Sequence, residues 1–127
     1  MGSGRKVTAA IAAGVISFAG VTGAQARPSW PRPATKASIT RKIGAEQWRK
    51  AERVARCETG GRVDWYVDSN GDPTGQYVSM MGMYKDTYNY GRRVTGYNGD
   101  TKAEQIAIAV GAFGITGGWS GWGCGGA

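Results

Sequence analysis

Between residues 45 and 58 the apolar residues Trp48, Ala51, Val54 and Ala55 recur at i, i+3, i+6 and i+7, while Arg49, Lys50, Glu52, Arg53 and Arg56 fill the positions between. That period predicts an amphipathic helix, and Gly60-Gly61 predicts its end in a left-handed cap. A second helix is marked by the turn Asn98-Gly99-Asp100 and by Thr101-Lys102-Ala103-Glu104, which has the capping-box pattern. Its stripe of Ala103, Ile106, Ala107 and Val110 runs to about Phe113, and Ile108, off the stripe, predicts burial on more than one side. Asp86 to Gly91 reads as a short helix ending at the glycine. Residues 62–80 are rich in turn formers and predict a turn or short hairpin between Tyr66-Val67 and Tyr77-Val78. The closing stretch Gly117–Gly126 is too glycine-rich for a helix and must be held by tryptophan burial and a cross-link. There is no internal repeat and no phosphate-binding glycine loop.

The N-terminus follows a different pattern. Arg5 and Lys6 precede an apolar run from Val7 to Ala19, and Ala24-Gln25-Ala26 has the small-x-small form of a signal-peptidase site. Residues 1–26 are therefore expected to be a signal peptide and the protein secreted. The alternative, a membrane anchor, needs a run of roughly 20 apolar residues, and this one is shorter and interrupted. Residues 27–42 are basic and proline-containing with no acid, which predicts an extended, solvated tail. Such a tail solubilises, or holds the protein near an anionic polymer such as a wall teichoic acid or a nucleic acid. The folded domain is expected over 43–127.

Composition narrows the chemistry. Histidine is absent, which removes Ser-His-Asp and Cys-His catalysis and every His-containing zinc site. The two cysteines cannot form a Cys₄ zinc site or hold an iron–sulfur cluster alone, and no metal or cofactor is expected. Cleavage after Ala26 removes 26 of 127 residues, leaving 101, and takes the net charge from +7 to +5 through loss of Arg5 and Lys6. A domain of that size has a marginal core. In an exported chain Cys57 and Cys124 are expected to pair, and closing so long a loop contributes about 4 kcal/mol in the chain-entropy picture.

Catalysis then falls first to carboxylates. Glu58 projects within about 40° of Ala51 and Val54 at 3.6 residues per turn, toward the apolar side. Ionisation there is costly, and the negative end of the helix adds to the cost, both of which suit a general acid that must keep its proton. The alternative is a frayed last-turn glutamate in solvent. Asp68, Asn70 and Asp72 have the spacing that begins a calcium loop, but Pro73 stands where the glycine belongs and Ser79 where the bidentate glutamate belongs. Three methionines (Met80, Met81, Met83) and four tyrosines (Tyr77, Tyr84, Tyr88, Tyr90) are more than a small core hides entirely, so some rings are expected to line a groove, where aromatic faces bind sugars.

The run Trp48-x-x-Ala51-x-x-Val54-Ala55-x-Cys57-Glu58-Thr59-Gly60-Gly61 resembles the opening of the small transglycosylase-like domain of actinobacterial resuscitation-promoting factors. Residues 101–109 resemble that family's late helix, and Gly118-Trp119-Ser120-Gly121-Trp122-Gly123-Cys124 its closing segment; together the likeness covers roughly 47–124. The resemblance implies an α+β, mainly helical, small lysozyme-like domain with a short hairpin and one Cys57–Cys124 disulfide. It implies that Glu58 protonates the glycosidic oxygen between N-acetylmuramic acid and N-acetylglucosamine in peptidoglycan, as a lytic transglycosylase or a muramidase. Asp64, Asp68 and Asp72 are candidates for a second carboxylate. The family's Gly-Gly-Leu-Gln-Phe groove segment is replaced by Met81-Gly82-Met83-Tyr84, reached after a longer polar stretch and lacking the glutamine. Trp65, Tyr77, Gly82 and Tyr84 are the expected substrate-binding residues. The expected setting is the cell wall, with glycan strands as partner, no nucleic acid, and a monomeric protein. A non-catalytic wall- or protein-binding module of the same fold is the alternative. A basic protein targeting nucleic acid or an anionic membrane, suggested by the +5 charge and the tail, is a third reading that export argues against.

Overall fold

The computed structural model describes residues 29–63 and 75–127. They form helices α1 (Lys36–Ile43), α2 (Ala45–Thr59), α3 (Lys85–Thr95), α4 (Lys102–Gly111) and α5 (Phe113–Thr116), with a 3₁₀ turn at Trp119–Gly121. Between α2 and α3 lies a two-stranded antiparallel hairpin, β1 (Tyr77–Val78) and β2 (Met83–Tyr84), in which Tyr77 pairs with Tyr84 and Val78 with Met83. The molecule is mainly helical, with one disulfide joining Cys57 and Cys124. The expected signal peptide lies outside the described residues.

α2 forms as its periodicity predicts, with Trp48, Ala51, Val54 and Ala55 buried and left-handed Gly60 donating its N–H to Arg56 O at 3.1 Å. α4 also forms, and Ile108 is fully buried as its off-stripe position predicts. The capping box is displaced: Thr101 Oγ1 accepts the Glu104 N–H at 3.2 Å, but the Glu104 carboxylate reaches past the cap to the N–H groups of Gly99 and Asp100.

Two expectations are corrected. The segment 27–42 is not an extended tail throughout. Thr35 and Ser38 cap each other reciprocally, α1 follows, and Ile39 is completely buried. Proline and charge predicted solvation, but a capped turn lets Ile39 and, one turn on, Ile43 dock the helix on the core. The folded unit therefore begins before residue 43, with Trp30 against the core, edge-on to Tyr97 at 6.4 Å. Tyr97 donates its phenol to Pro31 O, and burial pushes its pKa up against the opposing pull of the Arg32 guanidinium.

Second, the helix expected to stop at Gly91 continues to Thr95 and stops at Gly96. Gly91 serves helix packing: a Cβ there would lie 2.3 Å from Ile108 O, so only glycine lets α3 and α4 approach this closely. Among the described residues Tyr77-Val78 pairs with Met83-Tyr84; the expected hairpin with Tyr66-Val67 lies outside them.

The hairpin turn points inward. Ser79, Met80 and Met81 are all buried, so their backbone groups must find partners away from water. Met80 N–H donates to Gln105 Oε1 at 2.8 Å, and Met81 N–H to Ser79 Oγ at 2.9 Å. Met80 O accepts from Thr59 Oγ1 at 2.6 Å, and Met81 O from Trp122 Nε1 at 2.8 Å. α2, α4 and the C-terminal segment thus all clamp one turn. Gln105, almost fully buried, also donates to Val63 O and Gly99 O.

Candidate active site

Glu58 stands in the last turn of α2, half-buried rather than turned out to solvent. Cys57 beside it is bonded to Cys124, and Cys124 returns its backbone N–H to Glu58 Oε2 at 2.9 Å. The covalent link and the hydrogen bond form a short ring that fixes the carboxylate. Gly82, delivered by the buried turn, closes the other side. Its φ is +61°, and a Cβ built there would lie 3.2 Å from Glu58 Cβ and 3.3 Å from Oε1. Both the backbone conformation and the space favour glycine.

Glu58 opens onto a cleft of about 620 Å³. One wall is the hairpin. Strand alternation sends Val78 and Met83 into the core and their neighbours Tyr77 and Tyr84 outward. The two rings meet edge to face at 6.0 Å and remain 48% and 49% exposed. The C-terminal segment adds Gly121, Trp122 and Gly123 to the lining, and the Trp122 ring packs with Trp119 and Phe113. The expected mode of anchoring this glycine-rich stretch is the one observed, since Trp119 Nε1 also donates to Gln47 Oε1 at 2.7 Å.

Of the residues singled out from sequence, Glu58, Tyr77, Gly82 and Tyr84 line one cleft together. Trp65 and the candidate carboxylates Asp64, Asp68 and Asp72 lie outside the described residues, as does the calcium-like spacing of 68–72. Among the described residues Glu58 is the one carboxylate lining the cleft, and no cluster of three metal-ligating side chains occurs. Tyr77 and Tyr84 are the rings at the cleft, whereas Met80 and Met81 are buried and Met83 touches it from a buried position.

Sequence reading missed the hydroxyls of Thr59, Thr87 and Thr116 at the cleft. Thr59 and Thr116 donate to Met80 O and Gly118 O respectively. A lone threonine carries no spacing signal, so only the fold identifies these. Gly121, Trp122 and Gly123 were not singled out for the cleft either, and the fold brings them there. Comparison of the chain with known protein families, with curated proteins and with solved structures finds no match.

Proposed function

We propose that the protein is a secreted, wall-associated enzyme that cleaves the glycosidic bond between N-acetylmuramic acid and N-acetylglucosamine in peptidoglycan. On this reading it has a lysozyme-like fold of the resuscitation-promoting-factor type and Glu58 is its general acid. The observation that carries the reading is the placement of Glu58: half-buried in a cleft of about 620 Å³, held by the Cys124 N–H, and facing an exposed tyrosine pair of the kind that stacks on sugar rings.

The chemistry follows from the two carboxyl oxygens. Oε2 accepts the Cys124 N–H, so the proton to be given away resides on Oε1. Protonation of the glycosidic oxygen by Oε1 lets the bond to the anomeric carbon break, and the electron pair leaves with the departing sugar. The resulting Glu58 carboxylate, still holding the amide, then takes a proton from the attacking oxygen. Water as nucleophile gives the hydrolysed product. The muramyl 6-hydroxyl gives a 1,6-anhydro ring.

Positioned proton donation contributes typically 10²–10⁴-fold, so Glu58→Gln, which keeps an oxygen to accept the Cys124 N–H, is expected to lose activity on that scale with its melting point unchanged. Release of soluble fragments from sacculi checks this. Wall binding without release, equal in both proteins, would favour the binding-module alternative that the altered groove segment motivates.

A further inference from the structure

We infer that the concave patch at the C-terminal end of α3 binds a phosphate group, either the free anion or a phosphodiester of an anionic polymer. The depression is shallow and open, offers about 470 Å³, and is lined by Asn89, Arg92, Arg93, Gly96, Tyr97 and Asn98. Arg92 is held in place: Nη1 donates to Asn89 Oδ1 and Nη2 to Asn98 Oδ1, both at 3.2 Å. Its two partners are neutral amides, so the guanidinium is oriented without being neutralised. A guanidinium carries five N–H donors; two of these are engaged, and the buried Nε has no partner. Arg93 is exposed, with its guanidinium 6.0 Å from the Tyr90 ring centroid.

Arg32 adds a third positive charge. It lies 5.0 Å over the Tyr97 ring and donates to Thr95 O and Gly96 O. That contact answers the negative end of α3, equivalent to about half a charge, which would otherwise repel an anion. None of the three guanidiniums has an ion-pair partner among the described residues. Glu104, whose charge reaches the Tyr97 phenol, is occupied by the N–H groups of Gly99 and Asp100. Planar guanidinium forks match the oxygens of a phosphate in geometry as well as charge.

The ring faces argue for recognition of charge and not of a nucleobase, because Tyr97 is buried and Arg93 covers Tyr90. The site is also separate from the Glu58 cleft. Thr87 lines that cleft and Asn89 the patch; two residues apart, they lie about 200° around the helix from one another, on different faces of α3. The inference therefore stands independently of the proposed enzymatic activity.

The test is a nuclear magnetic resonance titration of the full chain, following arginine Nε–H and asparagine amide signals. Inorganic phosphate and poly(glycerol phosphate) are the probes, with chloride at matched ionic strength as the control. Saturable shifts at Arg92, Arg93, Asn89 and Asn98, weakened at least tenfold in both Arg92→Gln and Arg93→Gln, are expected. Arg93 makes no hydrogen bond that folding depends on, so its variant reads binding even if Arg92→Gln loosens the helix end. Tighter binding of the polymer than of inorganic phosphate assigns the site to a wall polymer, and equal affinity per phosphate assigns it to the free anion. Shifts no larger than with chloride, unchanged affinity in Arg93→Gln, or shifts confined to the basic face of α2 at Arg49, Arg53 and Arg56 would overturn the inference.

Discussion

The two walls of the Glu58 cleft are built on opposite terms. On the carboxylate's side, every group is tied down: the disulfide, the Cys124 amide, the buried Ser79–Gly82 turn and the Trp122 indole all brace one another. On the hairpin's side, Tyr77 and Tyr84 stand about half exposed on two-residue strands. The contrast separates two tasks. A group that transfers a proton has to be held to within a fraction of an ångström, whereas a ring that stacks on a sugar gains from area and tolerates adjustment. Changes to the braced wall should therefore damage fold and chemistry together, and changes to the open wall should damage binding alone.

The largest effect on stability is expected from removing the cross-link. Cys57→Ser with Cys124→Ser opens a loop of 67 residues and should cost about 4 kcal/mol, measured by urea unfolding, with activity lost because the Cys124 amide is no longer held against Glu58. Gln105→Leu comes next. It leaves the Met80 N–H and the carbonyls of Val63 and Gly99 without their partner, a cost of about 2–4 kcal/mol, and it should reduce turnover as well because the turn it anchors carries Gly82. If Gln105→Leu destabilised the protein without touching turnover, the braced wall would not be one unit.

Tyr77→Ala and Tyr84→Ala probe the other wall. Each should raise KM several-fold, about 1 kcal/mol of lost stacking, with kcat and melting temperature nearly unchanged. A fall in kcat with KM constant would place the rings in the chemistry instead. The smallest effect lies away from both walls, at the Lys102–Glu52 pair, 2.6 Å long. The Lys102 hydrogen bond holds the Glu52 carboxyl below its usual pKa, so the folded state binds this proton less readily than the unfolded chain. The pair's contribution is complete above the unfolded carboxylate range and is lost as pH falls through the lowered folded value. On a largely solvated pair that is about 0.5 kcal/mol or less. Melting curves of the wild type and Glu52→Gln should differ slightly at pH 7 and converge under acid conditions.

What sequence could and could not reveal follows the same division. α2, α4 and the placing of Glu58 on the inner side came from periodicity and capping, which are local signals, while the disulfide came from there being only two cysteines in a chain expected to be exported. α1 was hidden because its cap is Thr35 with Ser38, not the usual glutamate or glutamine, and because only Ile39 and Ile43 anchor it among basic residues. Gly91 looked like a stop when it is a contact, since the residue it makes room for, Ile108, lies on another helix. Gln105 reads as a surface residue of an amphipathic helix until the buried turn that needs its amide is folded against it. The inward turn itself has no local signature: its polar groups are satisfied by side chains distant in sequence.

The central claim is that Glu58 delivers a proton to a peptidoglycan glycosidic bond. Its most direct test is digestion of purified actinobacterial sacculi by the protein and by Glu58→Gln, with released fragments read by mass spectrometry. Soluble muropeptides from the wild type alone are predicted, with a mass lower by one water marking the anhydro product. Equal release by both proteins, or none from either while both are folded, would contradict it.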